Sequence, residues 1–366
     1  MDNKEQMCYN ECNTILNEIG MQNHPGVDKG FAHMTIADIA RLAGVSNAAV
    51  SRYFNNGYIS EEKREAIRKV IEETGYRPSA SAAQLRTKKT KTIGVIAPKL
   101  ASSSLGSMME GILNVLNENG YQMLISITQN DSEKELSYLQ TFDERTVDGV
   151  ILMATVYTAE HKRMLKNMKV PVIILGQRFP GQYCVFHDDY NGMFDLTRMI
   201  LEKGRTKLGY IGVMRQDKAA GAQRQRGFLD AMEEDGYSVS EDHCLIAKFN
   251  VHSGYEKAAE MLKRYPDMDG LICATDEIAI GAMQYLLEHG KAVPEDIYIA
   301  GLGDSVMARV AGHSIATVHY SYEKSGEVAA NMLMEIITTG ETSYKEVMLG
   351  YYLVDNLTYG VKEKKE

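Results

Sequence analysis

Thr35 to Ser60 reads TIADIARLAGVSNAAVSRYFNNGYIS, two short amphipathic segments separated by a glycine. Ile36, Ile39, Ala40 and Ala43 fall on one face of a first helix, at the three- and four-residue spacing that buries a stripe. Gly44 then breaks the period where a tight turn needs a positive φ. Ser46 is placed to cap a second helix, which turns Val50 and Phe54 inward. Its other face carries Asn47, Ala48, Ser51, Arg52 and Asn55, short polar groups around one guanidinium. This is the pattern of a helix-turn-helix whose second helix enters a major groove, where arginine can bond guanine O6 and N7 together.

Charge separates this segment from the rest of the chain. Residues 34–91 carry 11 lysines and arginines against 6 acids, a balance of +5. The whole chain stands at −9, so the remainder carries −14. A basic head on an acidic body directs the head to phosphates and keeps the body off them. At 366 residues and 44% hydrophobic, the chain is long enough for that head and a larger core. It has no apolar run of about 18 residues and so no expected membrane span. No basic-then-apolar leader opens it, and its five cysteines are scattered, so a reducing cytoplasm is expected. Residues 1–33 are expected to be a disordered extension. Cys8 and Cys12 lie there with His24 and His33, but neither a metal site nor a cofactor is expected.

From Thr92 onward, strand and helix signals alternate. Apolar runs begin at Ile93, Gln122, Gly149, Val172 and Cys184, and again at Lys207, Asp242, Gly270, Ile297 and Thr317. Helical patterns lie between them, as in Leu105–Asn119 and Tyr322–Thr339. Two such sets predict an α/β core of two lobes, each a doubly wound parallel sheet. Ligands in such sheets bind at the carboxyl ends of the strands, which places the site in the cleft between the lobes.

After the second helix comes SEEKREAIRKVIEETGYRPSASAAQLRTKKTKTIGVIAPKL, Ser60 to Leu100. Ser60 is placed to cap a third helix whose Ala66, Ile67, Val70 and Ile71 pack back on the first two. With this continuation the chain resembles the LacI/GalR family of bacterial transcription regulators from Met34 to about Gly360. The resemblance implies a DNA-binding head over 34–78, a hinge helix and linker over 79–91, a periplasmic-binding-protein-like core over 92–360 and a tail over 361–366. It implies that the hinge folds when paired with its twin on a pseudo-palindromic operator, with Leu85 as the minor-groove wedge. Thr35 and Tyr76 join Ser46 and the outward residues of the second helix as expected DNA contacts. A homodimer is expected, because VKEKKE at the end has no apolar heptad for a larger assembly.

The same resemblance places an effector in the cleft. Arg224 in AAGAQRQRGFLDAM falls on the family's effector arginine, and Asp276 in CATDEIAIGAM on its cleft acid, with Thr275 beside it. Lys99 follows the first strand and Arg178 the fourth. Gly176 and Gly303 stand where sugar-binding members often carry acids. Tyr320 is a candidate for stacking on a sugar ring, as is Tyr322. Fewer acids and added bases suit an anionic ligand. Phrases such as VPVIILGQ and FHDDYNG resemble the trehalose-operon branch, whose inducer is trehalose 6-phosphate; sucrose-responsive members are similar. A global regulator answering to a phosphocarrier protein is the other regulatory alternative. A transport-type sugar-binding protein would share the lobes but not the head. No Gly-x-Ser-x-Gly, HExxH or paired-cysteine zinc spacing is present, so no enzymatic activity is expected.

Overall fold

A computed structural model describes residues 34–54, 57–76, 89–100, 102–154, 156–311 and 315–355. The chain divides into two units, residues 1–88 and 89–366. Asn55, Leu85 and the two N-terminal cysteine and histidine pairs lie outside the described residues.

In the first unit, α1 (Ile36–Leu42), α2 (Asn47–Phe54) and α3 (Glu61–Thr74) form a small three-helix core. Ile39, Ala40, Val50 and Ile67 are buried at its centre, with Ile36, Ala43, Phe54, Val70 and Ile71 packed around them. Gly44 has φ 65°, the left-handed turn that the periodicity called for. Ser46 does cap α2, its Oγ accepting from Ala49 N at 3.3 Å. Ser60 precedes α3 without a side-chain cap bond, contrary to the sequence expectation. Two glutamates in the first turn of α3 supply the negative charge that its N-terminus favours.

The second unit holds two lobes. The first sheet is built from β1 (Thr92–Ala97), β2 (Gln122–Ile127), β3 (Gly149–Leu152), β4 (Val172–Leu175) and β5 (Tyr183–His187). The second is built from β6 (Leu208–Gly212), β7 (Cys244–Ile246), β8 (Gly270–Cys273), β9 (Tyr298–Ala300) and β10 (Ile315–Tyr320). Two further strands, β11 (Glu346–Leu349) and β12 (Tyr351–Val354), complete them. The orders are β11-β5-β4-β3-β1-β2 and β12-β10-β9-β8-β6-β7. All pairings are parallel except β10 with β12. Helices cover both faces, as parallel strands buried on two sides require.

The chain passes between lobes three times: after β5, after β10, and at Gly350 between β11 and β12. In the first lobe, α4 (Ser103–Glu118) packs on the sheet beside a helix that arrives after the second crossing. The other face of that sheet is covered by α5 (Ser132–Thr141) and α6 (Ala159–Asn167). The second lobe holds α7 (Asp189–Glu202), α8 (Arg224–Glu234), α9 (Val251–Arg264), α10 (Asp276–Glu288) and the short α11 (Val306–Val310). The returning helix is α12 (Tyr322–Thr339). Among the described residues, no helix is long and apolar enough to cross a membrane.

Candidate functional site

In the head, α2 turns Asn47, Ala48 and Arg52 to solvent, with Ser51 half-buried beside them. The neighbouring face is committed to packing: Ala49 is buried, so a hydroxyl there would meet the helical core rather than a phosphate. Thr35 Oγ1 donates to Asp38 Oδ2 at 2.8 Å within a capping box. Tyr76 is half-buried against the head core, 6.0 Å from the ring of Phe54. The exposed arginine and amide therefore stand on a rigid helix, the arrangement that direct base readout needs.

The second site lies in the core unit, where strand ends of both lobes face one another. Pro98 and Lys99 after β1, the start of α4, and Gly176 with Gln177 after β4 form one wall. Asp217, Ala219, Ala220 and Arg224 form the other with Phe249, Thr275, Asp276 and Glu277. His187, Asp189 and Tyr322 close the back, where the chain crosses. The space between these walls is about 140 Å³.

A six-residue π-turn, Lys218–Gln223, carries the chain from Asp217 to Arg224. Such widened turns recur at functional sites because they re-aim side chains. Arg224 is 7% exposed. Its Nε and Nη2 each lie 2.7 Å from Asp189 Oδ1, and Nη1 donates to the Ala274 carbonyl. Burial works against its charge, but the Asp189 carboxylate, together with Tyr320 and Tyr322, outweighs this and holds the guanidinium well above its ordinary range. The arginine reaches the cleft with its charge already matched.

Asp276 starts α10, and its oxygens accept from Ser305 N at 2.6 Å and Thr317 Oγ1 at 2.7 Å. Burial still pushes its carboxyl up to about 6. Thr275 caps the same helix by accepting from Ile278 N. Burial likewise raises Asp217, which accepts from Gln177 Nε2 at 2.7 Å. Gln177 Oε1 accepts from Ala219 N at 3.2 Å, so this one amide fastens the first lobe to the second at both ends. Lys99 makes a second fastening, with Nζ donating to the Phe249 carbonyl at 3.1 Å and standing 5.4 Å from that ring. Burial pulls the Lys99 amine down, partly offset by Glu277.

Two sequence expectations need correction. Arg178 stands beside the cleft rather than in it: its side chain is 64% exposed, pairs with Glu346 at 2.8 Å and lines an adjoining depression with Gln177, Asp189 and Ala219. After β4 the chain turns at Gly176, whose φ is 86°. Gln177 enters the cleft, and its neighbour is carried to the other side. Tyr320 is 1% exposed and packs behind the cleft, its ring 5.5 Å from the Arg224 guanidinium. Tyr322, two residues on, lines the cleft instead.

Lys99, Arg224, Thr275 and Asp276 do meet there. Asp189, Asp217, Glu277, Gln177 and Phe249 lay outside the sequence-derived set. The cleft therefore carries four carboxyls, from Asp189, Asp217, Asp276 and Glu277, against two cations. This reverses the acid-poor site expected from Gly176 and Gly303. Asp189 follows the β5 strand end and was the most accessible of these to a reading of sequence. Asp217 and Phe249 reach the cleft through loops with no periodic signal.

Comparison with known proteins agrees with both units. Residues 35–79 match the model of bacterial regulatory proteins of the lacI family, and residues 197–355 match a periplasmic binding protein-like domain. The sucrose operon repressor of Staphylococcus xylosus is 33% identical over 302 residues, covering 82% of this chain and 93% of that protein. The structure of a transcriptional regulator CelR–cellobiose complex aligns with TM-score 0.67 at 27% identity, covering 88% of this chain and 98% of that one. The trehalose repressor from Escherichia coli aligns with TM-score 0.65 at 23% identity, over 72% and 99%, a likeness of fold alone. A basic helix-turn-helix followed by a two-lobed α/β core, together with these matches, makes the chain a DNA-binding transcriptional regulator that belongs to the LacI family.

Proposed function

We propose that the chain is a sugar-responsive repressor whose cleft takes a neutral sugar, most simply a disaccharide. The observation that carries this is the cleft's charge: four carboxyls face two cations, and Arg224 is already paired with Asp189. Carboxylates accept from sugar hydroxyls and repel phosphate. Phe249 supplies an aromatic ring beside them, and the relatives named for sucrose and cellobiose are consistent with this class. The cleft is read as a binding site without catalytic function, in a cytoplasmic homodimer. The exposed Leu113 on α4, Leu124 and Ile125 on β2, and Ile246 on β7 support that dimer. Both β2 and β7 are edge strands, and an exposed apolar edge strand is suited to being covered.

A space of about 140 Å³ is smaller than the roughly 300 Å³ at which ligand pockets ordinarily begin. A disaccharide must therefore part the Gln177 and Lys99 fastenings. Sugar binding then favours a more open arrangement of the lobes. In the family's mechanism, lobe movement separates the paired hinges and weakens operator binding by ~5–150-fold, the usual size of such coupling. Trehalose 6-phosphate is the second reading, favoured by one observation: Lys99 places an ammonium in the cleft.

Calorimetric titration of the full chain with sucrose, trehalose and the 6-phosphate of each tests this. An unphosphorylated sugar is expected to bind, and Lys99→Met, which removes one fastening the sugar must part, is expected to bind it no more weakly than the native chain does. Binding of a phosphosugar alone, with a loss of roughly 10–100-fold in Lys99→Met, would select the second reading, since a charge-assisted bond is about that strong. Silence to all four sugars would remove both.

A separate test addresses the hinge. Leu85→Ala is expected to lower affinity for operator DNA about tenfold or more, because the wedge that holds the kink is lost. Its sugar affinity should stay unchanged. Parallel loss of DNA and sugar binding would show that Leu85 supports the fold rather than the operator.

A further inference from the structure

His187 ends β5 at the back of the cleft and is 6% exposed. The rings of Tyr320 and Tyr322 hold it, with centroids at 5.1 and 5.0 Å. One ring nitrogen bonds the Ser321 backbone in the sense that favours a protonated nitrogen, as when an N–H donates to a carbonyl. Nε2 is buried without a hydrogen-bond partner. Among the described residues, it is the one buried, unpartnered side-chain polar atom whose residue lines the cleft.

Several other polar groups of the cleft are already bonded. Arg224 has Asp189, Asp276 has Ser305 and Thr317, and Gln177 has Asp217 and Ala219. Burial, aided by Arg224 and opposed by Asp189, lowers the His187 ring to about 4, so it is neutral near pH 7. A neutral imidazole has one N–H and one lone pair. With Nδ1–H given to Ser321, the lone pair is on Nε2. A buried acceptor left unpaired is a standing cost that an arriving donor removes.

We infer that His187 is a specificity-determining residue: its Nε2 accepts one hydroxyl of the bound sugar and discriminates against a ligand that lacks a donor at that position. This rests on the sugar reading of the cleft. It gives His187 a task that packing alone would not, since phenylalanine would fill the same space against the two tyrosines.

The test uses the full chain, His187→Phe, and whichever of the four sugars binds, with a set of analogues replacing one hydroxyl at a time by fluorine. Fluorine keeps the size but cannot donate. One analogue is expected to bind the native protein about tenfold more weakly. The same replacement should cost His187→Phe nothing further. If every fluorine costs the same on both proteins, the inference falls while the sugar reading stands. If none of the four sugars binds the native chain, the sugar reading falls and this inference with it. Should His187→Phe fail to fold, ring ¹⁵N resonances of the native chain decide. A bare Nε2 that moves on sugar addition is expected. A protonated Nε2, or a bare one that does not respond to a bound sugar, overturns the inference.

Discussion

Asp189→Leu is expected to cost about 3–5 kcal/mol of stability, because it leaves the Arg224 guanidinium buried without its counter-charge. For a core of this size that is a fall in Tm of roughly 10 °C. Arg224 is 7% exposed and both Nε and Nη2 lie 2.7 Å from Asp189 Oδ1, so the pair is shielded from most of the solvent. Removing the opposite partner is not equivalent. In Arg224→Met the stranded carboxyl can take up a proton, which an arginine cannot shed. Arg224→Met should therefore cost less stability than Asp189→Leu.

The double variant Asp189→Leu/Arg224→Met separates stability from recognition. A buried pair replaced by apolar groups of similar volume is often neutral in stability, so the double variant should unfold within about 1–2 kcal/mol of the native chain. It should still fail to bind sugar, having lost the guanidinium at the cleft. Additive losses in urea titrations of the two single variants and the double would sink the claim that these residues act as a unit.

The pair also shows where a reading of sequence ends. The RQRGF phrase identifies Arg224, but its partner stands 35 residues earlier, and no local period connects them. The helix-turn-helix and the first ten strands were legible because buried faces repeat at 3.6 or 2 residues, or form unbroken apolar runs. The last two strands were not. Glu346–Leu349 and Tyr351–Val354 are four residues each and include exposed positions, so although their residues favour strands, neither is long or buried enough to give a period of its own. Helix α6, AEHKRMLKN, buries only His161 and Leu165, with Met164 half-buried beside them, and is otherwise mostly charged. Cleft polarity was misjudged for a related reason. Two absent acids could be read from Gly176 and Gly303, whereas Asp217 and Glu277 become cleft residues only once the lobes face each other.

Helix crossings carry information that periodicity hides. Gly111 on α4 and Gly326 on α12 face each other reciprocally: a Cβ on Gly111 would lie 2.0 Å from the Glu323 carbonyl oxygen, and one on Gly326 would lie 2.0 Å from that of Met108. Alanine in a helix interior ordinarily gains about 1 kcal/mol over glycine. Here that gain opposes a clash with backbone, which cannot rotate aside, and overpacking of this kind costs about 1–3 kcal/mol or more. Gly326→Ala is therefore expected to destabilise, and Gly326→Val to do so by at least ~3 kcal/mol. Gly106, on the same α4, is exposed and would meet nothing within 4 Å. Gly106→Ala should stabilise by up to ~1 kcal/mol. The contrast has a functional arm, because Met108 and Tyr322 line the cleft from these two helices. Forcing the helices apart at Gly326 moves both, so the folded fraction of Gly326→Ala should bind sugar more weakly, whereas Gly106→Ala should bind as the native chain does. Urea titration and calorimetry of both variants would read the two effects separately. If Gly326→Ala matched Gly106→Ala in stability, the crossing would be looser than these contacts require.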